Sequence, residues 1–244
     1  MSVHVFPIES VLPSLLRGDS IQNVYRMARA FLGQYGQLGE VHDKYMECAD
    51  RSSVEAGIGA FLDWATKRPN DEPKVLWLSL HGKPPGTKGT VGTAAVTAAY
   101  RPSEPNKAEI VDWGSSLAVL RGACPPNVLV LSDVCWGASP TAPRSVTQAS
   151  GGNPKMFFGP VREAHRLELD TAAGLVYGLL IRGAVPSSDD AQTIVRNLNA
   201  CFPTDHANEN PFYRVWWWDA GGKAHRFPDA PESMICTRVS PPTE

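Results

Sequence analysis

Val75-Leu76-Trp77-Leu78-Ser79-Leu80-His81-Gly82 and Val128-Leu129-Val130-Leu131-Ser132-Asp133-Val134-Cys135-Trp136-Gly137 are the two stretches whose reading decides the fold. Each is a nearly unbroken apolar run of strand length. Strands buried on both faces of a parallel sheet read this way, whereas half-exposed strands alternate. Each run ends in polar residues and glycine. Open α/β sheets place their sites at the C-terminal ends of such strands, so His81-Gly82 and Cys135 are the first candidates for chemistry.

Outward from these runs, strands and helices alternate. Val3 to Phe6, Val41 to Cys48, Thr93 to Tyr100, Met156 to Phe158 and Phe212 to Trp218 read as further strands, the last entering a hairpin at Asp219-Ala220-Gly221-Gly222. Helical spacing of apolar residues predicts helices over Ser20 to Leu32 (capped by Asp19), from Ser52 or Ser53 to Ala65, and over Asp112 to Leu120, Arg166 to Ile181 and Ser188 to Leu198. Ala138 to Lys155, rich in Ser, Thr, Pro, Gly and Ala, reads as one long loop, and residues 237–244 as a tail. The order predicts a single α/β domain over 1–244 with one largely parallel sheet and helices on both faces.

The 244 residues are 43% hydrophobic and 20% charged, which excludes wholesale disorder. With 23 basic and 25 acidic residues, the net charge of −2 argues against a broadly basic nucleic-acid binder. The longest apolar stretch, Ala172 to Ile181, is about half a membrane span. No signal-peptide pattern opens the chain, so a cytoplasmic protein without membrane partners is expected. Cys48, Cys124, Cys135, Cys201 and Cys236 are odd in number and include no CxxC pair, so neither a disulfide framework nor a zinc knuckle is expected.

A thiol needs a neighbouring base to attack at neutral pH, and imidazole supplies one; Cys135 and His81 are the candidate pair. The backbone N–H groups of Gly82 and Cys135 are candidate donors to a developing oxyanion. Glycine at position 82 is expected to keep the substrate's approach open. The other cysteines, and His4, His42, His165, His206 and His225, lack comparable context and read as packing or surface residues.

Cys135 follows His81 by 54 residues, close to the spacing of a caspase histidine and nucleophile. Here the chain resembles the caspase-like (clan CD) cysteine peptidases: Ser79-Leu80-His81-Gly82 is similar to their histidine motif, and Asp133-Val134-Cys135-Trp136-Gly137 to their nucleophile motif. The resemblance implies a three-layer α/β/α domain with a mostly parallel six-stranded sheet and cysteine endopeptidase activity. Caspases carry glutamine two residues before the nucleophile, whereas metacaspases carry aspartate there and serine two residues before the histidine. Asp133 and Ser79 match the metacaspase pattern; the glycine spacing after Cys135 is closer to caspases. The resemblance therefore implies a pocket for Arg or Lys before the cut, with Asp133 and Ser79 shaping it. Asp133 reads equally well as a strand-end turn residue, and Glu9 is a weak candidate for a second pocket carboxylate.

The segment after Cys135 lies where caspases are processed, which makes Arg144 and Lys155 candidate self-cleavage points; the plainer reading is a solvated surface loop. The chemistry requires no metal or organic cofactor. Metacaspases are often calcium-dependent, and the sequence leaves calcium open.

Trp216-Trp217-Trp218-Asp219 places large rings on both faces of one strand. The rings read as core and partner contact, as a substrate cleft, or as a stack for the base of a nucleotide-type activator, with Asp219 hydrogen bonding to it. Bacterial caspase-like defence effectors imply the last. The alternative to a peptidase is an inactive caspase-like module that binds a signal through this hairpin, or serves as a scaffold.

Overall fold

A computed structural model of the chain describes residues 3–10, 41–43, 46–48, 50–83, 94–101, 104–164, 166–180, 184–202 and 212–229. The helix expected over Ser20 to Leu32 and the tail at 237–244 lie outside the described residues.

The main sheet is built on β1 (Val3–Glu9), β4 (Lys74–Ser79), β8 (Val128–Asp133) and β9 (Met156–Pro160), all parallel neighbours in the order β1-β4-β8-β9. Two short strands, β2 (Val41–Asp43) and β3 (Met46–Glu47), pair in parallel with the outer edge of β1. At the other end β10 (Tyr213–Trp218) runs antiparallel to β9, and β11 (Ala224–Phe227) closes a hairpin on it. Among the described residues the sheet thus has eight strands where six were expected, with five parallel strands along the path from β2 to β9. The two extra strands come from the split of 41–48 and from the return arm of the tryptophan hairpin.

Helices cover both faces, giving the expected three layers. On one face lie α1 (Arg51–Ala65), α2 (Trp113–Leu117) with a 3-10 turn at Ala118–Leu120, and α3 (Thr141–Val146). Phe6, Ile8, Leu76, Leu78, Val128, Val130, Phe157, Trp216 and Trp218 point into this layer. On the other face lie α4 (Arg166–Leu180) and α5 (Ser188–Cys201), over Val5, Val75, Trp77, Leu129, Leu131, Phe158 and Val215. Alternation along each strand sends successive side chains to opposite layers, so continuous apolar runs are what this sandwich needs. The helices bury matching stripes: Val54, Ile58, Phe61 and Ala65 from α1, and Ala191, Ile194, Val195 and Leu198 from α5.

Three expectations are corrected. Asp50, not Ser52 or Ser53, caps α1: its carboxylate accepts from the Ser53 N–H at 2.7 Å while the Ser53 hydroxyl accepts from the Asp50 N–H. A second sheet exists, because β5 (His81–Lys83) leaves the main layer and pairs antiparallel with β6 (Ala94–Arg101), itself paired with β7 (Glu104–Asp112). The alanines of β6 and the mixed charges of β7 give neither alternation nor β-branched enrichment, so pairing rather than local propensity makes these strands. The supposed loop 138–155 contains α3, and Asn153 closes the remainder by accepting from the Gln148 N–H at 2.7 Å and donating to the Gln148 carbonyl at 2.8 Å.

Lys74, 0% exposed, starts β4. Its ammonium donates to the carbonyls of Pro69 (2.6 Å), Glu72 (2.8 Å) and Pro126 (3.1 Å), tying the turns that feed β4 and β8. Burial pulls its pKa below the usual lysine value, partly opposed by Glu72 and Asp71. Three charge-assisted bonds satisfy the ammonium's full donor capacity. Lys74→Met strands three carbonyls and is expected to cost about 3 kcal/mol, lowering Tm by about 6–12 °C in a thermal melt.

Candidate active site

The site grows from strand register. Ser79 of β4 is level with Asp133 of β8, and Glu9 of β1 is level with Ser79. Three polar side chains therefore stand in one row across neighbouring strand ends, about 5 Å apart from strand to strand. Alternation puts the row on the face covered by α4 and α5. Glu9 is 1% and Asp133 3% exposed. Tyr213, from the start of β10, reaches the same region: burial pushes its hydroxyl well above the usual tyrosine value, and the Asp133 charge adds to the rise.

Beyond Asp133 the chain turns sharply. Trp136 adopts φ +58°, an uncommon left-handed conformation for a bulky residue, directly after the candidate nucleophile. The turn is held by Gly137 N–H to the Val134 carbonyl (2.7 Å), Trp136 N–H to the Arg162 carbonyl (3.1 Å) and Ala138 N–H to the Pro160 carbonyl (2.9 Å). Gly137 is required here, since a Cβ would run into the Ser132 hydroxyl.

Beyond Ser79 the chain passes through Leu80 into β5 and comes to lie against this turn. A Cβ on Gly82 would collide with the carbonyl oxygen of Cys135. Glycine at position 82 thus lets two strand ends touch; the neighbour it spares is the backbone of Cys135, not an incoming substrate. The Gly82 backbone, source of one of the two proposed oxyanion donors, also lowers the Cys135 thiol pKa, more weakly than Ala164 does. The backbone of His81 is adjacent to Gly82 in β5, and its imidazole lies outside the described side chains.

Cys135 is half-buried. Burial raises its thiol pKa above the ordinary value. The Ala164 N–H, 3.4 Å from Sγ, opposes the rise, Glu163 and Asp133 reinforce it, and the Gly82 N–H opposes it weakly. Sγ also faces the Ala164 carbonyl at 3.6 Å. The segment Arg162–Ala164 therefore runs beside the nucleophile turn, anchored by the Arg162–Glu168 ion pair (2.9 Å) and by the Arg162 guanidinium over the Phe212 ring (4.8 Å). In these surroundings the sulfur rests as a thiol, and any nucleophilic role for it would need a base. Cys48 and Cys124 are buried, with pKa values pushed up to about 11 and about 12 respectively, as inert core thiols are. Cys201 is exposed.

The other candidates are spread out. Arg144 is exposed within α3, and Lys155 is exposed just before β9, its N–H bonded to the Val128 carbonyl at 2.6 Å. Trp216 and Trp218 are buried, donating their indole N–H groups to the Ala138 carbonyl (3.2 Å) and the Thr147 hydroxyl (2.9 Å). Trp217 is half-buried and stacks on His225. The Asp219 carboxylate accepts from the N–H groups of Gly221 and Lys223 and pairs with His225 at 3.0 Å, so it builds the turn. Sequence reasoning missed Tyr213 and the Ala164 backbone. Tyr213 was readable from strand alternation, whereas nothing local marks Ala164. Among the described residues no group of His, Cys, Asp or Glu is placed to hold a metal ion, and no helix is long and apolar enough to cross a membrane.

No family model and no curated protein matches the chain. Among solved structures it is similar to the crystal structure of protein GSU0716 from Geobacter sulfurreducens, over 98% of this chain and 97% of that one, with a TM-score of 0.45 and 11% identity. A likeness that weak carries no inference about activity.

The raised Cys135 thiol gives a pH test. In His81→Ala, iodoacetamide alkylation of Cys135, followed by peptide mass mapping, should climb only above the ordinary thiol range of about 8.5. With His81 present the rise should begin at least about one pH unit lower, because the base takes the proton. Exposed Cys201 serves as the internal reference.

Proposed function

We propose that the protein is a cysteine endopeptidase that cleaves after a basic residue. The observation that carries this reading is the apposition of two strand ends, with Ser79 level with Asp133 and the Gly82 backbone packed directly against the Cys135 backbone. His81 is one residue from that contact. In the proposed reaction the Cys135 thiol gives its proton to the His81 imidazole as Sγ bonds to the scissile carbonyl carbon. The Cys135 N–H, joined by the Gly82 N–H as the sulfur moves, holds the resulting oxyanion. Collapse breaks the C–N bond, the leaving amine takes the proton from His81, and a thioester remains. His81 then removes a proton from water, which attacks the thioester, releases the acid and restores the thiol.

Basic specificity is supported by the row of Glu9, Ser79 and Asp133 beside the nucleophile turn. A pair of carboxylates at a pocket floor favours guanidinium or ammonium and repels an acidic side chain. Both are almost wholly covered here, so a substrate has to displace neighbouring chain to reach them. A role in bacterial defence belongs to the family resemblance, not to this geometry.

One observation favours a second reading, a non-catalytic binding module: the Cys135 thiol is raised, and the Ala164 backbone lies against it. Matched fluorogenic peptides separate the two. Cleavage after Arg or Lys should exceed cleavage after Asp by at least about 100-fold in kcat/KM, and Cys135→Ala should abolish it. Asp133→Asn should narrow the Arg-over-Asp ratio by about tenfold or more. Equal rates after Arg and Asp contradict the pocket assignment. Turnover that survives Cys135→Ala contradicts the nucleophile.

A further inference from the structure

On the opposite face of the sheet from the carboxylate row, α3 and the β10–β11 hairpin enclose an open groove of about 680 Å³. That volume suits a small molecule. Arg144 and Thr147 line it from the α3 side, and Lys223, Arg226 and Asp229 from the hairpin side, with Trp216 among its walls. Three cationic side chains thus meet one carboxylate. That carboxylate is already engaged: the Arg226 Nε–H donates to Asp229 at 2.7 Å, and the Arg226 guanidinium also lies 5.4 Å from the centre of the Trp216 ring.

Asp229 reports the local field. It is exposed, yet its carboxyl is held below the usual value, first by its hydrogen bond from Arg226, then by the Arg226 charge, and also by Arg214. Arg214 is 0% exposed on β10, two residues before Trp216. A buried guanidinium in the same strand adds positive potential that solvent screens poorly.

We infer that this groove binds a small oligophosphate-bearing molecule. Two guanidinium groups and one ammonium, offered from two separate elements, match the oxygens of linked phosphates: the guanidiniums give planar paired donors, and the ammonium a point charge. The bound molecule displaces Asp229 from Arg226 and draws α3 and the hairpin together. It lies next to the nucleophile turn, because the Trp216 indole donates to the carbonyl of Ala138. The inference does not depend on peptidase activity.

The test is calorimetric titration of the full chain with tripolyphosphate, ATP and adenosine. Tripolyphosphate and ATP should each bind saturably at one site with micromolar Kd, and adenosine should not bind. Affinity should fall at least about tenfold when salt rises from about 50 to about 500 mM, as expected when charges are screened. The double variant Arg144→Gln with Lys223→Gln, both exposed positions, should weaken binding by about tenfold or more. Asp229→Asn should tighten binding about threefold or more, since it frees Arg226 and removes the competing carboxylate; a loss of folding cannot produce that gain. Absence of saturable binding by both phosphates overturns the inference. So does unchanged affinity in the double variant, or weaker binding in Asp229→Asn. Tighter binding of a short oligonucleotide than of ATP also overturns it, because the ligand class would then be nucleic acid.

Discussion

The parallel register between β4 and β8 is the constraint on which the rest depends. Leu76 and Leu78 lie in one helical layer and Val75 and Trp77 in the other, with Val130 and Leu131 divided in the same way. A slip of one residue would turn every one of these side chains into the wrong layer. That penalty fixes Ser79 beside Asp133, and the chain leaving each strand has little freedom before it reaches Gly82 and Cys135. Hydrophobic burial thereby sets the geometry of a polar site it does not itself contain. The contact tolerates no side chain at Gly82, because the two backbones meet there directly.

Long, strongly patterned segments were legible in the sequence. The strands around Trp77 and Val130, the stripe of α5 and the tryptophan hairpin all follow from periodicity, since burial on two faces leaves a clear mark. Segments that depend on distant pairing were not. The alanine-rich β6 and the charged β7 acquire strand geometry from each other, and α3 forms in a stretch whose serines and prolines read as loop. Within the candidate site, Cys135, Gly82, Ser79 and Asp133 were legible from their positions at strand ends. Glu9 was only a weak candidate, because its importance comes from its level with Ser79, which depends on register between strands far apart in sequence. The role of the Ala164 backbone carries no side-chain signature at all.

Glu9 and Asp133 stand buried on the α4–α5 face, whereas Arg144, Lys223 and Arg226 line the groove between α3 and the hairpin on the other. The two regions share one short segment, the turn from Cys135 to Ala138: Cys135 faces the strand-end site, and Ala138 accepts the Trp216 indole hydrogen bond. A change in the hairpin is therefore three residues from the sulfur. Trp216 and Trp218 act as anchors of that junction, with their rings in the core and their N–H groups tied to Ala138 and Thr147, in the chain after Cys135.

The most direct measurement of the central claim is active-site labelling with an arginyl acyloxymethyl ketone, read by intact mass and peptide mapping. Such a reagent needs a sulfur made nucleophilic by an adjacent base within a site that accepts a basic side chain. The account predicts one adduct per chain, on Cys135, and none in His81→Ala. An adduct spread over exposed thiols such as Cys201, or Cys135 labelling that is indifferent to loss of His81, would contradict it.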